Sequence, residues 1–374
     1  VARVRRARAL QAYWQDGRLV LENFVTRIAV TAAPVTIEVL DFFGEWRARG
    51  DLASAFPQYG RASLQRAVRD LLANTLLVQE ATPMAREDER VATEWKHWLP
   101  HASFHFATKD APFANPRQWA RMARAFREAA PQPPLVKSYP DAPRTPLPPP
   151  DAPDDEFRRV LLGRRTHREF SRKPVPLKRL ATLLHYTWGS TGTVDTPNFG
   201  PLLLKPSPSG GARHPEEVYV AARHVEGLDP GLYHYNHVDH CLERVRAGVT
   251  RAELLAQTVG QVHVGNAGAV CFMTAVVPRS MYKYRSPRAY RILSLETGHL
   301  AQTFCLVATW LGLAPFTTAA MADTAIERAL GLDGITETVL YVAGVGMPKR
   351  VRGRGRGVDA PPPAAPKPAR RPRR

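Results

Sequence analysis

The stretch Lys205-Pro-Ser-Pro-Ser-Gly-Gly-Ala-Arg-His-Pro-Glu-Glu-Val-Tyr-Val220 decides how this chain is read. Ser209, Gly210, Gly211 and Ala212 are small enough for a main chain to approach a flat ring closely. A strand rich in Val and Tyr opens directly after them, at Glu217. Upstream stands a second run, Gly163-Arg-Arg-Thr-His-Arg-Glu-Phe170, with three guanidiniums and a hydroxyl between Arg164 and Arg168. Alone, the first run is a tight turn and the second a solvated basic helix end. Together they supply what a cofactor with a flat ring and a phosphate requires.

Composition narrows the class. The 374 residues suffice for two domains, and 44% hydrophobic content is ordinary for a folded chain. The longest apolar run, Ala267–Val277, is well short of the roughly 20 residues of a membrane-spanning helix. The N-terminus is basic at Arg3, Arg5, Arg6 and Arg8, but no apolar segment follows to make a secretory signal. Cys241, Cys271 and Cys305 are widely spaced, so free thiols in a reducing cytoplasm are expected. The formal net charge is +18, and residues 349–374 carry ten cations against Asp359 alone. Half of the excess therefore sits at 349–374, most of it in a Gly/Pro/Ala-rich tail, 351–374, that is expected to be disordered. Its Arg-Gly repeat lacks the interleaved aromatics that stack on bases, which argues against nucleic acid as the partner.

A Pro-rich linker at 131–153 divides the chain into a module at 1–130 and a larger one at 154–350. In the first, Arg18–Phe24 reads as a strand, Val35–Ala48 and Ser63–Leu72 as helices with Ser63 as N-cap, and Thr75–Val78 as a closing strand. This order suits a winged-helix-like unit. Trp95, Trp98, Phe104, Phe106 and Trp119 form an aromatic segment expected to pack against one of the two modules. The second module alternates strands (217–222, 231–235, 267–277, 338–344) with helices (177–187, 251–258, 290–311, 323–330), an α+β pattern. The long helix places Leu295, His299, Gln302 and Leu306 on one side, and Gly312 ends it.

As an ordered set these motifs resemble the SagB-type dehydrogenases of the nitroreductase-like FMN family. The family's Pro-Ser-x-Gly-Ala-x-x-Pro-x-Glu-x-Tyr run is matched at Pro208, Ser209, Gly211, Ala212, Pro215, Glu217 and Tyr219. Three further runs match in order. They are Gly227-Leu-Asp-Pro-Gly-Leu-Tyr-His-Tyr235, then Arg288-Ala-Tyr-Arg291 with Glu296-Thr-Gly-His299 and Gln302, then Gly331-Leu-Asp333 with Glu337-Thr-Val-Leu-Tyr341. The branch most similar is that of peptide maturation dehydrogenases, azoline oxidase-like. The resemblance implies a central, mostly antiparallel sheet flanked by helices, with FMN as cofactor. It assigns phosphate and flavin-edge contacts to Arg164, Arg165, Thr166 and Arg168, and the ring platform to Pro208, Ser209, Gly210, Gly211 and Ala212. Thr317, Thr318 and Ala319, and the cations Lys349 and Arg350 after the last strand, are further cofactor contacts on the same basis.

The family's azoline oxidases use a Lys-Tyr pair, and Lys283-Tyr284 occupies the matching place. A phenol is a poor base at neutral pH, but an adjacent ammonium stabilises its phenolate. Neighbours on a regular strand point to opposite faces, so both reach one substrate only if 282–287 is irregular, which Ser286-Pro287 permits. The bland reading is a solvated Lys beside a packing Tyr. His224, His234, His237 and His240 read as surface residues of a hairpin, without metal-site spacing. The N-terminal module reads either as a leader-peptide recognition element or as a DNA-binding unit using Arg61, Arg66 and Arg69. Nearby Glu45, Asp51 and Asp70 favour the former. The expectation is a cytoplasmic, homodimeric, FMN-dependent dehydrogenase acting on a leader-bearing precursor peptide, with a possible cyclodehydratase partner. The rivals are an NAD(P)H-dependent nitro- or quinone reductase and a regulatory protein that is not an enzyme.

Overall fold

The computed structural model describes residues 2–114, 116–129, 147–148, 153–197 and 199–349. Most of the Pro-rich linker, Arg350 and the basic tail lie outside the described residues.

The N-terminal half opens with β1 (Arg3–Arg6), then a meander of β2 (Leu10–Gln15), β3 (Arg18–Asn23) and β4 (Ile28–Thr31). β2 and β3 turn at Asp16-Gly17, both at positive φ (49° and 73°), as a two-residue hairpin needs to match strand twist. Helix α1 (Pro34–Phe42) begins with a proline, whose missing N–H would have no helical partner there. It stops short of the expected Ala48 because Arg47–Ala48 leave as β5 to pair with β1. After α2 (Leu52–Ala55), helix α3 (Arg61–Ala73) starts two residues before Ser63, with Gly60 at its cap. β6 (Leu77–Gln79) completes a sheet of order β5-β1-β6, and β2-β3-β4 forms a second. Val4, Leu21, Leu40, Phe43 and Val68 share one core between them.

Helices α4 (Pro83–Glu94), α5 (Leu99–Thr108) and α6 (Pro116–Ala129) follow. α4 is capped by Thr82, whose Oγ1 accepts from the Ala85 amide at 3.2 Å. The aromatics of this region join the core of the second half. Trp95, Trp98 and Phe106 pack with Val277, Tyr290 and Ile335, and Trp95 Nε1 donates to the Ile335 carbonyl at 2.9 Å. Phe104 stays exposed, and Trp119 lies on α6.

The second half runs α7 (Glu156–Gly163), β7 (Val175–Pro176), α8 (Leu177–Trp188), β8 (Gly192–Thr196), β9 (Gly200–Leu204), β10 (Glu216–Ala222), β11 (Val225–Glu226), β12 (Gly231–Asn236) and β13 (Cys241–Ala247). It continues with α9 (Arg251–Gln257), α10 (Val262–Asn266), β14 (Ala269–Val276), α11 (Val277–Lys283), α12 (Tyr290–Trp310), β15 (Ala314–Thr318), α13 (Asp323–Leu330) and β16 (Glu337–Gly346). Six strands form an antiparallel sheet of order β13-β12-β10-β14-β16-β15. β14 shows why its sequence is apolar throughout. Ala269, Cys271 and Met273 face α8 and α12, while Val270 and Phe272 face α9, α10 and α13. No helix among the described residues is long and apolar enough to cross a membrane.

The sheet has two functional ends. At one, Glu216 pairs with Ala275, which pairs with Thr338; at the other, Ala222 pairs with Ala269, which pairs with Val345. The ten residues of β16 span about 30 Å between these ends.

Candidate active site

The Lys205–Val220 stretch folds at the Glu216 end. Gly210–Ala212 form a short turn in which Gly211 adopts φ 61°, and Ala212 and His214 are also held at positive φ. Glu296 of α12, 3% exposed, fixes this turn from below. Its carboxylate accepts from the Ser209 hydroxyl at 3.0 Å and from the Gly210 amide. Ser209 Oγ in turn accepts from the His214 amide at 2.9 Å, and Ser207 bonds Thr303 at 2.7 Å. The Ser207, Ser209 and Gly210 links thus run to α12 or back to the turn, while His214 also meets the Leu203 carbonyl at 3.1 Å and Arg213 donates to the Arg279 carbonyl at 3.2 Å.

Lys283 and Tyr284 meet on this turn. An ideal Cβ placed on Gly211 would lie 2.5 Å from Lys283 Nζ and 2.6 Å from Tyr284 Oη. Lys283 is the last residue of α11, and Tyr284 leaves the helix in an extended conformation. The helix end therefore sends both neighbouring side chains to one point, which a regular strand could not do. Lys283 Nζ also stands 4.5 Å from the Phe199 ring centroid and 5.6 Å from that of Tyr284. The backbone at Tyr284 is fixed from the N-terminal half: buried Trp98 donates its Nε1 to the Tyr284 carbonyl at 2.9 Å.

Arg164–Phe170 lies at the opposite end of the sheet. The His167 amide donates to Pro315 at 2.9 Å, Phe170 bridges Pro348, and the Ser171 amide donates to Met347 at 2.8 Å. Arg165 turns back to cap α7, donating to the Leu162 and Arg164 carbonyls at 2.8 and 2.7 Å. Thr166 and Arg168 are exposed, and Lys349 pairs with Glu169 at 2.9 Å beside them. Thr317 and Thr318 lie on edge strand β15, with Thr317 Oγ1 accepting from Tyr341 at 3.0 Å; Ala319 follows, exposed. Among the described residues no hydrogen bond or ion pair joins the arginine run to the glycine turn. One chain separates the two motifs by the length of the sheet.

The charges under the glycine turn were not assigned from sequence. Glu216, 3% exposed, lines a small cavity with Glu296, Lys205, His214 and Trp188. Its Oε1 meets no donor among the described residues. Burial, reinforced by Glu296, pushes the Glu216 carboxyl up to about 9, so it is protonated in the fold. The folded state then holds a proton that the unfolded chain releases near its ordinary carboxylate pKa. Stability accordingly falls as pH rises from about 4.5 toward about 9. Glu216→Gln keeps a neutral group of the same shape, so its melting temperature between pH 6 and 9.5 should lose this downward slope. A parallel decline in both proteins would place the proton elsewhere. On the neighbouring face, His234 sits between Glu217 at 3.0 Å and Glu243 at 2.8 Å, and the Glu217 contact raises it to about 8. That pairing engages His234 with carboxylates. Cys271 and Cys305 are buried free thiols and Cys241 is exposed.

The model described as the nitroreductase family matches residues 161–347, half of the chain. The chain belongs to the nitroreductase family. MJ1384 of Methanocaldococcus jannaschii, named as a nitroreductase, is 32% identical over 181 residues, covering 48% of this chain and 87% of that protein. Trifolitoxin-processing protein TfxB of Rhizobium leguminosarum bv. trifolii is 33% identical over 165 residues, 43% of this chain and 44% of TfxB. Microcin B17-processing protein McbC of Escherichia coli is 29% identical over 143 residues, 37% of this chain and 52% of McbC. The nitroreductase domain thus spans about half the length of these two relatives. Their names support the SagB-type assignment. Among solved structures, a chain of the E. coli microcin synthetase McbBCD complex with truncated pro-MccB17 bound aligns with TM-score 0.50 and 19% identity. It covers 72% of this chain and 99% of that one, and shows the same fold.

Proposed function

We propose that this protein is an FMN-dependent dehydrogenase that removes two electrons from a ribosomally made peptide, converting an azoline to an azole or making an equivalent desaturation. The convergence of Lys283 and Tyr284 on Gly211 carries the reading. The donor set suits FMN. Half-buried Arg164 and exposed Thr166, Arg168 and Lys349 offer cations and a hydroxyl to a phosphate, with Arg350 next in sequence. The Pro208–Ala212 turn offers a flat backbone approach to the ring, and Thr317, Thr318 and Ala319 lie along the edge strand between. Because the two motifs stand at opposite ends of the sheet, one flavin meets both only if a second copy supplies one of them. A homodimer is therefore part of the proposal. Trp310 of α12, 45% exposed and packed on Tyr186 at 5.9 Å, offers apolar surface for it.

Bound FMN supplies the hydride acceptor. Tyr284 takes the companion proton from the substrate, with the Lys283 ammonium directed at the same point on Gly211. In the N-terminal half, β4 is an unpaired sheet edge, and Val30 and Thr31 share a cleft of about 300 Å³ with Ala67, Asp70 and Leu71 of α3. An extended leader segment adding to that edge would place side chains in the cleft. A cyclodehydratase that forms the azoline beforehand fits as an upstream partner, in the cytoplasm where such peptides are made.

Purified protein should be yellow, with absorbance near ~450 nm from bound flavin. Anaerobic addition of an azoline-bearing peptide should bleach it faster than NAD(P)H does. Rapid bleaching by NAD(P)H with recovery by nitroaromatics would establish the small-molecule reductase instead.

A further inference from the structure

Beside the glycine turn runs an open groove of about 410 Å³, bounded at one end by Lys283 and Tyr284. Ala289, Ile292 and Leu295 form an apolar floor, and Arg285, Arg288 and Arg291 form its rim. The floor reaches the turn itself: an ideal Cβ on Gly210 would lie 3.1 Å from Ile292 Cγ2. A chain lying in the groove would therefore end at the two candidate catalytic side chains.

The rim is electrostatically unfinished. All three arginines are exposed, and none has a carboxylate partner among the described residues. Some exposed arginines elsewhere find acids, as in Arg8–Glu89 at 2.8 Å and Arg158–Asp154 at 3.1 Å, but here three that lack one line a single groove. The sequence offers this rim no acid within a helical turn of Arg291, whose neighbours at three and four positions are Arg288, Ser294, Pro287 and Leu295. Glu296, the acid nearest on α12, is turned inward on Ser209. Like charges one turn apart repel, and a bound anion relieves that repulsion.

We propose that this groove is a substrate subsite for an acidic side chain, Asp or Glu, next to the residue that is oxidised. The inference rests on the peptide-oxidation reading and specifies which peptides it favours. A pyridine nucleotide is also anionic. However, residues 283–295 contain no glycine to build a backbone cradle for a diphosphate, and Ala289, Ile292 and Leu295 line the groove beside the guanidiniums. An extended peptide with apolar neighbours around one carboxylate matches both features.

The test uses FMN-loaded full-length protein and two terminally capped heptapeptides, each with one thiazoline, differing only by Asp or Lys two residues after it. The Asp peptide should show a KM about three- to tenfold lower, the range of one or two exposed ion pairs. That preference should shrink toward unity in 1 M NaCl, where the Debye length falls to about 3 Å. Arg288→Glu/Arg291→Glu should abolish or reverse it while melting temperature and flavin absorbance are retained; Arg291→Gln serves as the milder variant if the double one misfolds. Equal KM values in the unaltered protein, or equal losses for both peptides in the variant, would overturn the proposal. So would a variant that keeps its peptide preference but loses NADPH oxidation, which would assign the rim to a nucleotide phosphate. If neither peptide is oxidised, the chemistry proposed above fails, and fluorescence anisotropy of the same labelled peptides still decides the groove. Tighter, salt-sensitive binding of the Asp peptide supports it, and indistinguishable binding rejects it.

Discussion

Tyr284→Phe lowers kcat for peptide oxidation by about 10²- to 10⁴-fold, the usual contribution of a positioned general base, while the protein stays yellow. The ring remains to pack, so only the hydroxyl that reaches Gly211 is lost. Lys283→Met should fall in the same range, because it removes the ammonium that meets Tyr284 at Gly211 but keeps the stem beside Phe199. The double variant should be little worse than either single one, since the two side chains act as a unit. Single-turnover reduction of the flavin by the peptide isolates this step from product release. Unchanged turnover in Tyr284→Phe would remove it from the mechanism. The role depends on backbone placement as much as on the hydroxyl. Trp98 donates to the Tyr284 carbonyl, so the N-terminal half is part of the scaffold of this candidate site.

Asp88→Ala destabilises the fold by about 3–5 kcal/mol, lowering the melting temperature by roughly 10 °C or more. Asp88 is 0% exposed and Arg5, its partner at 2.6 Å, is 1% exposed. The carboxylate also accepts from the Arg8 amide at 2.9 Å and from the Ala9 amide at 3.0 Å. Removing it leaves two amides without an acceptor and a buried guanidinium held only by the Arg6 carbonyl at 2.8 Å and Glu89 at 3.1 Å, and that desolvation is the source of the loss. Asp88→Asn retains an acceptor for the amides and should lose less. Arg5→Met/Asp88→Leu removes both charges and should be more stable than Asp88→Ala. A melting temperature within about 2 °C of the unaltered protein for Asp88→Ala would mean water reaches this pair.

Four strands and four helices of the second half, β10, β12, β14, β16, α8, α9, α12 and α13, were legible in the sequence because their signals are local, whereas β13, β15 and the short α11 that carries Lys283 were not read. β14 reads as an unbroken apolar run because it is buried on both faces, and α13 is bounded by Asp323 and Gly331. The N-terminal half was less legible. Its strands are short, and the Asp16-Gly17 turn that creates β2 and β3 was a usable signal that was not read. α1 ends early because β5 is drawn away by a partner more than forty residues upstream, and no local propensity reports that (Arg3 pairs with Ala48). Glu296 stood in a quoted motif without a role, since nothing in Glu-Thr-Gly-His says that the carboxylate faces a turn 86 residues earlier.

By itself the sequence singled out the candidate residues, because residue type and order are what the motifs encode: the small residues of Ser209–Ala212, the cations of Arg164–Arg168 and the adjacent Lys283-Tyr284. Only the tertiary structure decided their relation. An antiparallel sheet about 30 Å long puts the glycine turn and the arginine run at opposite ends, a separation that spacing along the chain cannot reveal. The end of α11 turns two neighbours that a strand would oppose toward a single point on Gly211.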